Sequence, residues 1–143
     1  MFTQPAKNHV NRLVAAAIVL TLAGVFIAPI AFARIMQNTI DPVAIVTDNG
    51  RHIIVTGPIE CTARERAHLR VTVTQRLTGA VAEGRTRIKC TGDTQQWEIH
   101  ASTQGNETFQ DGPATAVAIA RTTSRGEATD AHQWLVAITL VGE

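Results

Sequence analysis

Two-residue alternation of apolar and polar side chains, recurring in the segments around Leu69, Ile88 and Trp97, narrows the fold more than any other feature of this sequence. Leu69, Val71 and Val73 alternate with Arg70, Thr72 and Thr74, and Ile88 and Cys90 alternate with Arg87 and Lys89. Trp97, Ile99 and Ala101 point one way while Glu98, His100 and Ser102 point the other. A strand turns successive side chains to opposite faces, so this pattern describes half-buried strands with one wet face.

Turn-forming residues divide the alternating segments. Val43 to Thr47 and His52 to Thr56 are β-branched runs separated by Asp48-Asn49-Gly50-Arg51, a spacing suited to two short strands and a turn. Thr78-Gly79 and Glu83-Gly84 punctuate the stretch between the Leu69 and Ile88 segments, as a hairpin or as a bulged strand. Gln104 to Gly112 brackets a loop around Phe109. Ala114 to Thr123 is rich in alanine, but its Thr, Val and Ile content and its start after Pro113 favour an extended strand. A loop is expected over Ser124 to Asp130. The last strand, through Trp134, Val136, Ile138 and Leu140, is apolar on both faces and is therefore expected to be central or covered. About seven short strands without an amphipathic helix predict an all-β domain, an immunoglobulin-like β-sandwich, with a small barrel as the alternative. Trp97 follows Cys90 instead of lying between the cysteines, so immunoglobulin-like refers to architecture alone.

The beginning of the chain has a different character. Lys7 and Arg12 precede an uncharged apolar run from Leu13 to Ala28, Pro29 interrupts it, and Ala31-Phe32-Ala33 forms a small-x-small end before Arg34. This is the layout of an export signal helix, predicting a signal peptide over 1–33, a cut at Ala33/Arg34 and a domain over 34–143. Uncleaved, the segment is long enough to anchor the chain in a membrane. Both readings place the domain outside the cytoplasm, secreted or extracytoplasmic. Cys61 and Cys90 would meet an oxidising environment there, which predicts one disulfide; two unpaired buried strand cysteines are the alternative.

Gly57-x-x-x-Cys61, Val71-Thr-Val-Thr-Gln75-Arg76, Gly84, Cys90-x-Gly92, Trp97 and Phe109-x-x-Gly112-x-Ala114 together resemble a family of small secreted bacterial proteins, chiefly actinobacterial. The resemblance implies a signal peptide followed by one disulfide-bearing β-sandwich. It implies no activity and no catalytic residues.

Charge and motif searches narrow the function classes. Loss of Lys7 and Arg12 with the signal leaves 11 basic residues against 12 acidic ones, a net of −1, so no overall field draws the domain to nucleic acid. Ser102 and Ser124 are the only serines, and neither sits in a nucleophile elbow. His52, His68, His100 and His132 lack metal-ligand spacing, and there is no glycine-rich phosphate loop, so neither a metal nor a cofactor is expected. Glu98 and His100 share a strand face at a spacing suited to proton transfer, or to two solvated side chains. Asn106-Glu107-Thr108 matches a glycosylation sequon but reads as a polar loop in a bacterial chain, and Trp97 and Trp134 fall in register with apolar strand faces.

One constellation rises above this background. Between Arg64 and Lys89 lie Arg64, Arg66, Arg70, Arg76, Arg85, Arg87 and Lys89 against only Glu65 and Glu83. Alternation turns Arg70, Arg76, Arg87 and Lys89 outward, and with Arg85 they form the predicted binding set. The expectation is a non-enzymatic interaction or structural module whose partner is an anionic envelope polymer or another envelope protein. A small hydrolase with a dispersed site and an enzyme inhibitor presenting the Gln104–Gly112 loop are the alternatives.

Mass spectrometry of the mature protein is expected to find Arg34 at its N-terminus. An intact N-terminus recovered with membranes would instead establish the anchor.

Overall fold

Alternation becomes strands throughout the computed structural model, which describes Ile35 and residues 37–143. The signal segment and the Ala33/Arg34 cut lie outside the described residues. In chain order the strands are β1 (Gln37–Asn38), β2 (Val43–Thr47), β3 (His52–Glu60), β4 (Arg66–Thr74), β5 (Val81–Lys89), β6 (Thr94–Thr103), β7 (Gly112–Ser124) and β8 (Glu127–Gly142). The domain is all-β, as the periodicity predicts.

The sheet closes on itself, so the immunoglobulin-like sandwich gives way to the alternative, a barrel. From β3 the hydrogen-bonded order runs through β2, β8, β7, β4, β5 and β6, and β6 then pairs with β3 from Glu60↔Thr94 to His52↔Ser102. Two devices turn the corners. β2 lies antiparallel to β3 and parallel to β8, and a short β5–β6 pairing at Ala82↔Thr103 and Glu83↔Ser102 completes the ring. Closure gives strand edges partners that two separate sheets would leave open. Small inward side chains permit it: Ala67, Ala82, Ala101, Ala116, Ala118 and Ala120 are all fully buried and leave room for Trp97, Ile53, Leu69 and Ile99 in a narrow interior.

Glycine makes the same accommodation at two points. Gly57 stands opposite Trp97, and a methyl group there would run into the indole and the Thr39 carbonyl. Trp97 is thereby buried, its Nε1 donating to the Pro58 carbonyl at 3.3 Å. Gly84 is neither a turn nor a bulge. It pairs with Val71 in unbroken register inside β5, where any side chain would overlap Ile99. The β4–β5 connection is a hairpin turning at residues 75–80.

One other expectation is corrected and one is met. The region from Ser124 to Asp130 is mostly strand: β7 and β8 continue to a tight turn at Arg125-Gly126, because their pairing runs on to Ser124↔Glu127. The last strand is central, hydrogen-bonded between β2 and β7 as expected, and is covered on one face only. Ile138 and Leu140 are buried, whereas Leu135 is 68% exposed because, among the described residues, no second layer packs outside the barrel there.

Cross-links hold the loops. The buried Gln75 amide donates to the Gln110 carbonyl at 2.8 Å and accepts from the Gln110 amide at 2.9 Å. The Phe109 amide donates to the Gly50 carbonyl at 2.9 Å, and its ring is buried. The expected disulfide is present between Cys61, just beyond β3, and Cys90, just beyond β5. Beside it the Cys90 amide donates to the Glu65 carbonyl at 2.9 Å.

Closing a loop of 29 residues restricts the unfolded chain by about 3 to 4 kcal/mol on the chain-entropy account. Reduction, or the pair Cys61→Ser with Cys90→Ser, is expected to lower the melting temperature by about 10 °C or more. Calorimetry of oxidised and reduced protein checks this.

Candidate functional site

β4 lies between β5 on one side and β7 on the other, and its outward residues meet a register partner on both. Arg66 stands between Lys89 and Thr123, His68 between Arg87 and Arg121, and Arg70 between Arg85 and Ile119. Directly opposed side chains in antiparallel strands have Cβ atoms about 4.5–5.5 Å apart, so these rows form one surface. Their inward neighbours Ala67, Leu69 and Val71 are buried, which commits the charged positions to the outside.

Four of the five predicted binding residues therefore converge: Arg70, Arg85, Arg87 and Lys89. Arg76 does not join them. It lies in the β4–β5 turn beyond Thr74, at the opposite end of β4 from Arg66. The structure adds Arg121, which sequence reasoning missed. The β7 alternation already implies that Arg121 faces outward, since Ala118, Ala120 and Thr122 are inward, but its pairing with β4 is a long-range contact with no sequence signal.

The face is grooved. One shallow depression runs along Arg70, Arg85, Arg87, Arg121 and Ile119, and a second, next to it, is bounded by Arg64, Arg66, Arg125 and Gly126; both include His68, Arg87 and Thr123. Arg64 and Arg125 hold left-handed backbone conformations, with φ of 72° and 52°. Such a conformation costs a non-glycine residue about 1–2 kcal/mol, so two arginines at one end of the face sit where glycine or asparagine would be less strained.

Neutralisation is confined to one corner. Glu83 accepts from Arg70 and, at 3.0 Å, from Arg85 Nη2. These two hydrogen bonds hold the Glu83 carboxyl below its ordinary value of 4.5. Among the described residues no carboxylate lies within ion-pair distance of Arg66, Arg87, Lys89 or Arg121. Glu65, adjacent in sequence, is buried instead and accepts from the Thr129 hydroxyl at 2.9 Å. At the centre, burial pushes the His68 imidazole below its ordinary 6.5, and the charges of Arg87, Arg66 and Arg121 push it further the same way.

The remaining sequence-derived candidates lie elsewhere. His100 Nε2 is 2.8 Å from Glu98 Oε1, with both side chains well exposed on β6. Among the described residues no group of three or more His, Cys, Asp or Glu side chains is arranged to hold a metal ion. In the Gln104–Gly112 loop, Phe109 and Gln110 are fastened to Gly50 and Gln75. Trp134 packs against the core with its Nε1 unpartnered.

No protein-family model matches this chain, and no curated protein matches it.

Because the folded value for His68 lies below the unfolded one, folded protein binds fewer protons than unfolded protein between the two. Stability from this group is complete above about pH 6.5 and declines as the pH falls toward the folded value. The contribution of Glu83 is present above 4.5 and disappears as the pH falls through its depressed folded value. Melting curves between pH 8 and 5 are expected to show the first decline in the wild type and a smaller one in His68→Gln.

Proposed function

We propose that this chain is an exported, non-enzymatic module that binds an anionic polymer of the cell envelope across the β5–β4–β7 face. One observation carries the reading: three successive rows gather Arg66, Lys89, Arg87, Arg121, Arg70 and Arg85 on this face, and among the described residues only the Arg70–Arg85 corner has a carboxylate. Like charges opposed across strands cost roughly 0.2–1 kcal/mol per pair. A polyanion lying along the rows removes that repulsion and releases its own counterions, which makes binding strong at low salt and weak at high salt.

The groove shape suits an extended polymer, because open, adjoining depressions accept a chain that enters and leaves. Arginine dominates the site, and its planar fork matches phosphate and carboxylate oxygens. Ile119, 41% exposed in the floor of the first groove, gives a polymer backbone an apolar contact. Export rests on the basic and apolar N-terminal segment, and the Cys61–Cys90 bond is consistent with an oxidising, extracytoplasmic location. The family resemblance, with its secreted single-disulfide domain, fits this assignment and leaves the ligand to the site itself.

Retention on immobilised heparin and on purified wall polymer at low salt tests the proposal. The wild type is expected to bind and to elute with rising salt. Arg70→Ser, Arg87→Ser and Lys89→Ser combined should weaken retention and reduce the salt-dependence slope by about two to three units. Arg76→Ser, outside the face, should elute with the wild type. A wild type that flows through, or a triple variant retained equally well, removes the reading.

A further inference from the structure

The central row of this face carries a titratable group whose state is legible from its hydrogen bonds. Arg87 Nε donates to His68 Nδ1 at 3.3 Å, and His68 Nε2 lies 3.4 Å from Thr123 Oγ1. A guanidinium has only donors, so the Nδ1 it contacts bears no proton. His68 is thus the neutral tautomer with its hydrogen on Nε2, directed at the threonine hydroxyl. Both contacts are long for hydrogen bonds and are easily exchanged for stronger ones.

The charges that act most on the imidazole, those of Arg87, Arg66 and Arg121, favour that neutral form. Along its own strand stand Arg66 and Arg70, and β7 contributes Arg121. Across from it β5 brings Arg85, Arg87 and Lys89, while Arg64 and Arg125 close the second groove. Glu83 belongs to the β5 end beyond Arg85 and is occupied by Arg70 and Arg85, and Glu65 is buried against Thr129.

Resting on the polyanion reading above, we infer that Arg121, His68 and Arg87 form a proton-linked seat for a single oxyanionic group of the bound polymer, which is held more tightly as the pH falls. An oxyanion accepting from the two guanidinium groups reverses the local field. A proton then enters at Nδ1, the Arg87 contact to that nitrogen breaks, and the imidazolium becomes a third donor to the ligand. No bond to the ligand forms or breaks, and the proton comes from solvent. Binding therefore takes up protons between the free and bound titration midpoints of His68. Each unit by which the ligand raises that midpoint corresponds to about a tenfold gain in affinity on going from high to low pH.

The seat differs from a diffuse basic surface, whose arginines and lysines stay charged from pH 5 to 8 and give a pH-independent affinity. It also gives the domain a sense of envelope acidity, with histidine as the responsive element.

The test is a residue-resolved NMR titration of the histidine imidazoles in the full mature domain. It is run free, with a heparin octasaccharide, and with poly(glycerol phosphate), alongside affinity measurements from pH 8 to 5.5. The sulfates and phosphodiesters of these probes keep their charge over that range, so proton uptake reports on the protein. The His68 midpoint is expected to rise on binding, with affinity increasing about tenfold per unit of the rise and much less in His68→Gln. A rise with only one probe supports the seat and identifies the ester it accepts. Should His68→Gln fold poorly, the wild-type midpoint alone still decides the matter. Binding with an unmoved His68 midpoint overturns the seat and leaves the polyanion reading standing. Absence of binding to both probes at every pH overturns both.

Discussion

Pairing of β4 with two long partners is the constraint on which the rest of the molecule depends. β4 hydrogen-bonds to β5 and to β7 along its whole length, from Arg66 to Thr74. Inward, that registry stacks Leu69, Val71 and Val73 against the alanines of β7 and the packed side chains of β6. Outward, the same registry sets Arg66, His68 and Arg70 beside Lys89, Arg87, Arg85 and Arg121. A slip of one residue would exchange the two faces, burying guanidinium groups and exposing the core, so the apolar interior specifies the charged surface. The cation rows are a by-product of a register enforced from inside.

Core and charged face therefore act in opposite directions. Burying apolar surface favours closure at roughly 25 cal/mol per Å², while the opposed cations Arg66 with Lys89 and Arg70 with Arg85 work against the β4–β5 pairing that closure requires. The disulfide lies at the end of the face where Arg66 and Lys89 oppose each other. Cys90 follows Lys89 directly, and Arg64 donates its amide to the Cys90 carbonyl at 3.1 Å. A covalent link there holds the ends of β3 and β5 together beside Arg64, Arg66 and Lys89. Glu83 serves the other end, where Arg70 and Arg85 share it. Between the two lies the His68 row, with neither cross-link nor carboxylate among the described residues.

Much of this was legible beforehand, for identifiable reasons. Strand periodicity is local, so the strands around Leu69, Ile88 and Trp97 could be read directly, as could the outward direction of Arg70, Arg87 and Lys89. Several residues singled out in the sequence have architectural roles. Gly57 makes room for Trp97, Gly84 makes room for Ile99, Gln75 fastens Gln110, and Cys61 bonds Cys90. Arg76 shows where the pattern ends: parity continues two residues past β4 on paper, but the chain has already turned. The extended β7–β8 hairpin was hidden because Ser124-Arg125-Gly126 and the polar residues after it look like a loop, and only pairing to a neighbouring strand makes them a ribbon.

The sequence by itself determined an all-β domain, the facing of most of its side chains, the disulfide pair and a segment rich in arginine, because each depends on neighbours within a few residues or on composition. Only the tertiary structure decided that the sheet closes into a barrel, that Arg121 joins the cations of β4 and β5, and that His68 lies between two guanidinium groups. Those facts depend on which distant strands pair. Alternation leaves strand partners undetermined, and the close fit of alanine, glycine and tryptophan in a narrow interior selects among them.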